Sequence, residues 1–360
     1  MNESIVSNRA RALRPYTPGE QIQDREYIKL NTNENPYPPS AEIRDLLASY
    51  RWQDLRLYPD PKSTKLREAL ARYHRLNPAK VFTANGSDEL LSFIFYAFFD
   101  PNNGPVLFPQ YSYSFYPVYC RFYGLDFEKV EMDRDFRLDL KRFSTHERYS
   151  GIIFPNPNAP TGRDVSLEEI KDLLSKVPRQ RLLVVDEAYV DFGAETALPL
   201  LGDHPNLLIV RTFSKSRSLA GARIGYALGD VELIETLVRV KDSFNSYPLN
   251  RLSQSLAIAS IEDEDTFRRQ RLRVSQTREW CSRELRRLGW QVIPSKANFL
   301  FAQLPGTEGR AIYEDLKSRG ILVRHFAQRG IEDYIRISVG TDEEMRVFID
   351  TLEALSLERD

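Results

Sequence analysis

Leu182-Leu-Val-Val-Asp-Glu-Ala-Tyr189 begins as an aliphatic run and ends in charged and aromatic residues. Similar short apolar runs lie on either side of it, at residues 151–154 and 207–210. Between residue 31 and about residue 241 such runs alternate with segments of helical apolar spacing, which is typical of a parallel sheet covered by helices. The sequence therefore predicts an α/β fold built around these three buried strands.

One helical segment carries its own start signal. Ser166 is followed three residues later by Glu169, which is the spacing of a capping box. Apolar residues at positions 167, 170, 173 and 174 then keep helical spacing, so we predict a crossover helix between two strands of the sheet.

The alternation of strands and helices stops near residues 245–248, which predicts a domain boundary there. We expect a large domain at residues 31–248 and a small α+β domain made of residues 249–360 with an N-terminal arm, residues 1–30. The elements predicted for the small domain are a long charged helix at 262–288, strands at 298–301, 321–323 and 334–338, and helices at 312–318 and 342–357.

Composition and charge exclude several classes of protein. Fifty Lys and Arg residues against 51 Asp and Glu leave a net charge of -1, so no general field attracts nucleic acid or an anionic membrane. Cys120 and Cys281, the only cysteines, lack metal or redox spacing, which favours a reducing cytoplasm. The longest apolar run, residues 90–99, is about ten residues short of a membrane span. We therefore expect a cytoplasmic protein without nucleic-acid or membrane partners.

Several common catalytic motifs are missing from the sequence. It has no GxxxxGK[ST] phosphate loop, no GxGxxG after a strand, no GxSxG nucleophile turn and no HExxH. Its four histidines are scattered without helical pairing, so we expect no metal site.

Polar residues follow each of the three predicted strands. They are Asn156 and Asn158 after the first, Asp186 and Tyr189 after the second, and Thr212, Ser214 and Lys215 after the third. Ligands of open parallel sheets bind beyond the carboxyl ends of the strands. The three loops are therefore expected to build one site.

The residue types in these loops point to one cofactor. A single lysine is usually a solvated surface residue, and a carboxylate at the end of a buried strand usually needs a positive partner. Here Lys215 stands between hydroxyl residues and Arg223, downstream of Asp186. Pyridoxal phosphate requires this set: an amine for the Schiff base, a carboxylate for the pyridinium nitrogen, and hydroxyls with an arginine for the phosphate.

Nine segments in a fixed order carry a family resemblance. They are Leu30-Asn-Thr-Asn-Glu-Asn-Pro36, Tyr58-Pro59, Asn85-Gly-Ser-Asp-Glu89, Pro109-Gln-Tyr111, Asn156-Pro-Asn-Ala-Pro-Thr-Gly162, Asp186-Glu-Ala-Tyr189, Ser214-Lys215, Arg223-Ile-Gly225 and Tyr334-Ile-Arg-Ile-Ser-Val-Gly340. The chain resembles the fold-type I, pyridoxal-phosphate-dependent aminotransferases of classes I and II, most closely those that act on histidinol phosphate. The resemblance spans nearly the whole sequence and implies a fold-type I PLP transferase, with a mostly parallel large-domain sheet and a smaller α+β domain.

The resemblance implies a role for each loop residue. Lys215 would form the Schiff base and later act as the general base, Asp186 would keep the pyridine nitrogen protonated, and Tyr189 would hydrogen-bond the phenolic oxygen of the ring. Tyr111 would stack on the ring. An asparagine would share the phenolic oxygen, and we favour Asn158 over Asn156. The residues expected at the cofactor phosphate are Gly86, Ser87, Thr212, Ser214 and Arg223, and Asp88 is also expected to contact the cofactor.

The resemblance also implies a substrate site and a dimer. Tyr16, Asn33, Arg324 and Arg336 would bind the substrate, because arginine pairs bidentately with phosphate or carboxylate. Tyr58 would reach the cofactor phosphate of a neighbouring subunit, so a homodimer with shared active sites is expected. The partners are then a small-molecule amino donor and a 2-oxo acid, and we predict transfer between L-histidinol phosphate and 2-oxoglutarate.

Two departures from the family pattern and three alternatives accompany this prediction. Ala159 stands where the family usually has asparagine, and Ser216 and Arg217 follow the lysine in place of a small residue and an aromatic one. The alternatives are an aromatic or broad-range aminotransferase, a phosphothreonine-type decarboxylase on the same fold, and a noncatalytic effector-binding module. The last is disfavoured because residues 1–29 are too few for a DNA-binding domain.

Overall fold

The computed structural model describes residues 5–16, 19–20 and 24–357. Its α-helices are α1 (Asn8–Ala12), α2 (Ala41–Ala48), α3 (Thr64–His74), α4 (Gly86–Phe98), α5 (Tyr116–Tyr123), α6 (Leu167–Lys176), α7 (Val231–Phe244), α8 (Arg251–Glu262), α9 (Glu264–Arg287), α10 (Gly309–Ser318) and α11 (Asp342–Leu357). Its strands are β1 (Ile28–Lys29), β2 (Val81–Ala84), β3 (Val106–Pro109), β4 (Phe127–Val130), β5 (Gly151–Pro155), β6 (Leu182–Asp186), β7 (Leu207–Thr212), β8 (Gly225–Gly229), β9 (Gln291–Ile293), β10 (Phe299–Gln303), β11 (Ile321–Leu322), β12 (Arg324–His325) and β13 (Ile335–Ser338).

A seven-stranded sheet with the order β2-β8-β7-β6-β5-β3-β4 forms the centre of the large unit. All of its neighbouring pairs are parallel except those of β8, which runs antiparallel to β2 and β7. Every residue of β5, β6 and β7 is buried. Alternate residues pack into opposite cores, Leu183 and Val185 on one face and Val184 on the other. Because both faces of the sheet are covered, these strands appear in the sequence as continuous apolar runs. The predicted α/β fold class is confirmed.

The predicted crossover helix is α6, and its capping box is present. The Ser166 hydroxyl accepts the Glu169 N–H, while the Glu169 carboxylate accepts the Ser166 N–H. Ile170, Leu173 and Leu174 face the core beneath the sheet. The helix thus returns the chain from β5 to β6 and leaves both strand ends open at the same edge.

A four-stranded antiparallel sheet with the order β12-β13-β10-β9 centres the small unit. β1 pairs in parallel with β11, which ties residues 28–29 to this unit. The predicted helix at 262–288 is α9, which begins at Glu264 because the Asp263 side chain accepts the Thr266 N–H and caps it. The predicted domain limits stay a prediction, and Leu256, Ala257 and Ile261 of α8 pack into the core of the large unit. Residues 1–4, 17–18 and 21–23 of the predicted arm lie outside the described residues.

Candidate active site

A cavity of about 170 Å³ opens at the carboxyl ends of β5, β6 and β7. Its walls are residues 31–33, 112–114 and 159–160, with Tyr189 and Lys215 on the large unit and Arg324, Phe326 and Arg336 on the small one. Tyr16 also lines it and packs its ring 5.0 Å from that of Phe115. The site thus lies between the two units, where the predicted loops meet.

Lys215 reaches this cavity from the loop after β7. Its Nζ donates to the carbonyl oxygen of Thr32 at 3.2 Å and lies 5.5 Å from the ring centroid of Tyr189. The loop is held by Thr212, whose hydroxyl accepts the Ser214 N–H at 3.1 Å. Ser216, the residue after Lys215, anchors the loop from the other side, because its hydroxyl donates to Asp191 at 2.5 Å. A primary amine is therefore presented to the cavity by a loop that is fixed on both sides.

Asp186 is 5% exposed at the end of β6, and its charge has no ion-pair partner among the described residues. Tyr116 donates its hydroxyl to Oδ2 at 2.9 Å, and the Ala188 N–H donates to Oδ1 at 3.2 Å. Burial raises the pKa of Asp186 from its usual 3.8 to about 6, although both hydrogen bonds act to lower it. A buried carboxylate in this position would be stabilised by a cationic N–H donor, which is what a pyridinium ring offers.

The amino end of α4 lies beside the ends of β2 and β7. The register places Ala84 opposite Gly225 and Gly225 opposite Thr212, so three chain segments meet at one edge. A Cβ on Gly225 would come within 2.5 Å of the backbone at Gly86 and Ser87, which only glycine permits. Backbone N–H groups at the start of a helix form an anion site.

Arg223 lies at this anion site. Its Nη2 pairs with Asp88 Oδ2 at 3.0 Å, and both side chains are about half exposed. The other oxygen of Asp88 accepts the Tyr113 hydroxyl at 2.7 Å. Asp88 thus fixes the guanidinium beside Gly86, where a phosphate group would find N–H and guanidinium donors together.

The two candidate asparagines differ in their contacts. Asn156 is satisfied by the backbone of Val165, with Oδ1 accepting its N–H at 3.0 Å and Nδ2 donating to its carbonyl at 3.2 Å. Asn158 donates to the Tyr111 carbonyl and the Thr161 hydroxyl, both at 2.9 Å, while its buried Oδ1 has no partner among the described residues. The unused group of Asn158 is an acceptor oxygen, while both donor positions of its amide nitrogen are engaged, so the preference for Asn158 at the phenolic oxygen stays a prediction.

Asn33 connects the cavity to the small unit. Its Nδ2 donates to the Tyr189 hydroxyl at 3.1 Å, and its Oδ1 accepts the Ser338 hydroxyl at 3.0 Å. Its backbone is in the left-handed region, with φ of 55°, which asparagine tolerates better than most residues. Tyr189 is therefore held by a residue that β13 positions.

Two tyrosines predicted at the cofactor lie outside the cavity wall. Tyr111 packs edge-on against Phe136 and donates its hydroxyl to the Arg329 carbonyl at 3.3 Å. Tyr58 is 78% exposed and stacks on Tyr247 with ring centroids 4.8 Å apart. Their predicted roles, in stacking and in a neighbouring subunit's site, stay predictions. Sequence reasoning missed Tyr116, because a tyrosine that starts a helix gives no signal of its long-range partner.

Arg324 and Arg336 face each other across the small sheet. They are register partners on β12 and β13, and both line the cavity opposite Lys215. Like charges directly opposite in a sheet repel. Burial, with a further contribution from Arg324, lowers the pKa of Arg336, and its buried Nε has no hydrogen-bond partner among the described residues. The pair therefore favours an anionic ligand.

A family model described as aminotransferase class I and II matches residues 25–352. The chain belongs to this family. It is 51% identical over 355 residues to the histidinol-phosphate aminotransferase of Syntrophus aciditrophicus (strain SB), with 98% of each chain covered. Identity to the Chromohalobacter salexigens histidinol-phosphate aminotransferase is 50% over 345 residues, covering 96% of this chain and 97% of the relative.

A solved structure supports the same family. The histidinol-phosphate aminotransferase from Sinorhizobium meliloti, in complex with pyridoxal-5'-phosphate, matches with a TM-score of 0.84 and 28% identity, covering 92% of both chains. The family resemblance and the fold-type I architecture predicted from the sequence are both confirmed. Among the described residues, no helix is long and apolar enough to cross a membrane, and no cluster of metal-ligating side chains occurs.

Proposed function

We propose that this class I and II aminotransferase uses pyridoxal 5'-phosphate to move an amino group between L-histidinol phosphate and 2-oxoglutarate. The substrate assignment rests on Arg324 and Arg336. These residues are register partners on neighbouring strands, and both line the cavity that contains Lys215. Sequence identity of about 50% to relatives named histidinol-phosphate aminotransferase supports the same substrate.

The described residues fit this cofactor. Lys215 would hold its aldehyde carbon, Asp186 its ring nitrogen, and Tyr189 and Asn158 its phenolic oxygen. The phosphate would be held by the backbone at Gly86 and by the side chains of Ser87, Thr212, Ser214 and Arg223, with Asp88 orienting the arginine. When bound, pyridoxal phosphate supplies an electron sink for the bond broken at the substrate Cα.

Lys215 moves the proton in this proposal. Its Nζ lines the cavity and would act there as the general base that takes the proton from the substrate Cα. The Thr32 carbonyl, which accepts the Nζ hydrogen at 3.2 Å, keeps the amine within the cavity. The rings of Tyr16, Tyr189 and Phe326 line the same cavity.

One anion pocket serves both half-reactions. Histidinol phosphate brings a phosphate group to Arg324 and Arg336, and 2-oxoglutarate brings a carboxylate to the same guanidinium groups. The Arg336 Nη2 is held by the Asn31 carbonyl at 3.0 Å, which leaves the buried Nε to be satisfied by the ligand. Either anion removes the repulsion between the two arginines.

We further propose a cytoplasmic homodimer with shared active sites. Large apolar side chains are exposed in the segment that holds Tyr58, with Trp52 71% and Leu55 66% accessible to solvent. Exposed apolar patches of this kind mark protein interfaces. Tyr58 would reach the phosphate site of the second subunit from this surface. Sedimentation at micromolar concentration should give a dimer, and a monomeric species with full activity would contradict the shared site.

The substrate assignment is tested by kinetics. We expect kcat/KM for histidinol phosphate to exceed that for phenylalanine and tyrosine by at least about tenfold, the effect of one charge-assisted contact. Arg324→Ala should raise KM for histidinol phosphate more than KM for glutamate. Arg310→Ala, an exposed arginine paired with Glu314, is the matched control. Preference for the aromatic amino acids would favour the broad-range alternative, and carbon dioxide release without consumption of a 2-oxo acid would favour a decarboxylase.

A further inference from the structure

Tyr116 is the one tyrosine whose hydroxyl contacts the catalytic carboxylate among the described residues. It is fully buried, and its hydroxyl donates to Asp186 Oδ2 at 2.9 Å. It is the first residue of α5, and its own N–H is fixed by the Tyr113 carbonyl at 3.1 Å. Its ring packs against Phe95 and Phe108, with centroids 6.1 and 5.8 Å away. Both the ring and the hydroxyl are therefore fixed by the fold.

The hydrogen bond of Tyr116 differs from an ordinary core contact in its acceptor. A buried tyrosine hydroxyl usually finds a hydrogen-bond partner. Here that partner is a buried carboxylate with only one other donor among the described residues, the Ala188 N–H. An ionised carboxylate can accept about four hydrogen bonds. Tyr116 and Ala188 occupy two of these positions and leave the rest for a ligand.

We propose that Tyr116 is a positioning residue, whose hydroxyl fixes the Asp186 carboxylate for the ring nitrogen of the cofactor. This inference rests on the proposed function, because it needs the nitrogen of pyridoxal phosphate to bind at Asp186. The hydrogen bond also makes the carboxylate less basic, since it stabilises the ionised form. A less basic carboxylate leaves the shared proton on the ring nitrogen, where it increases the electron-withdrawing power of the ring.

Other charges near Asp186 act against ionisation. Asp88 from α4 and Glu187, the next residue, both raise the pKa of Asp186. Glu187 is itself paired with Arg211 at 2.8 Å. The neighbouring tyrosines Tyr113 and Tyr119 face Tyr116 and donate to Asp88, not to Asp186. The Tyr116 hydroxyl and the Ala188 N–H are therefore the contacts that favour the ionised carboxylate.

The test measures binding of 4-deoxypyridoxine 5'-phosphate, which lacks the aldehyde and so does not react with Lys215. Its dissociation constant is measured by fluorescence from pH 5 to pH 9 on cofactor-free wild-type protein and on Tyr116→Phe. The wild-type affinity should fall as the pH drops through about 6, where Asp186 takes up a proton. In Tyr116→Phe the midpoint should rise by about one pH unit, the effect of one lost hydrogen bond to a charged group. At pH 6 Tyr116→Phe should then bind the ligand about fivefold more weakly than the wild type, and at pH 9 the two affinities should be equal.

Two further variants separate the possible failures. Tyr123→Phe removes a hydroxyl of the same helix that contacts Ser92, and its curve should match the wild type. Asp186→Asn should remove the contribution of the carboxylate and leave only that of the ligand phosphate, whose second pKa is also about 6, and Tyr116→Phe should have no further effect in that background. A Tyr116→Phe curve that matches the wild type, while Asp186→Asn still removes the carboxylate contribution, would overturn this inference alone. An Asp186→Asn curve that matches the wild type would contradict the proposed cofactor contact itself.

Infrared difference spectra of the unmutated protein test the inference if Tyr116→Phe does not fold. A tyrosine C–O band should shift with the same midpoint as the carboxylate band that Asp186→Asn removes. Its absence would show that no tyrosine is coupled to Asp186.

Discussion

Asp186→Asn should make the cofactor-free protein more stable and the enzyme less active. The pKa of Asp186 is raised by burial from 3.8 to about 6, so the folded protein holds this proton more tightly than the unfolded chain does. The stability that the group contributes is therefore present at low pH and is lost as the pH rises through 6. Above that pH the ionised carboxylate costs about 3 kcal/mol relative to its protonated form.

Asparagine removes this cost but cannot reproduce every contact. Its side-chain oxygen can still accept the Tyr116 hydroxyl, whereas the Ala188 N–H would face an amide nitrogen and lose its acceptor, at about 1 kcal/mol. The net gain should be about 2 kcal/mol at pH 8 and below about 1 kcal/mol at pH 5.

Urea denaturation of cofactor-free wild type and Asp186→Asn at several pH values measures this difference. We expect the gap between the two unfolding free energies to widen from pH 5 to pH 8. The same variant should lose most of its kcat when loaded with pyridoxal phosphate. A variant that is destabilised equally at all pH values would contradict this expectation, because the carboxylate would then be stabilised by contacts that the structure does not contain.

Two further predictions follow from the backbone and the buried charges. Gly225→Ala should weaken pyridoxal phosphate binding by about tenfold or more, because its Cβ would displace the start of α4. Gly221→Ala is the control and should bind like the wild type, because its Cβ would meet no atom within 4 Å. Equal affinity in all three proteins would contradict the assigned anion site. Glu187→Ala should lower the free energy of unfolding by about 3 kcal/mol or more, because buried Arg211 keeps only the longer ion pair with Asp191 and a neutral contact to Thr196 among the described residues. A loss below about 1 kcal/mol in urea would show that this pair is not structurally important.

Much of the large unit could be predicted because its local signals agree. The apolar runs at 151–154, 182–185 and 207–210 are strands in the structure, extended by one or two residues at the carboxyl end. The helix predicted at 342–357 has the same limits in the structure. Buried strands and capped amphipathic helices depend on short-range patterns, which a single sequence contains.

Long-range contacts could not be predicted in the same way. Nothing in the sequence shows that residues 28–29 pair with β11, or that Asn156 uses its side chain on Val165 and leaves Asn158 available. Ser216 departs from the family pattern, yet the structure gives it a specific partner in Asp191. These contacts join residues that are distant in the chain, and tertiary packing decides them.

The proposed function depends most directly on Lys215, whose Nζ would carry the cofactor. Protein loaded with pyridoxal phosphate is reduced with borohydride, digested and mapped by mass spectrometry, and the same is done for Lys215→Ala. We expect a phosphopyridoxyl group on Lys215 in the wild type and no labelled lysine in the variant. A wild-type map in which Lys215 is unmodified and another lysine carries the label would contradict it.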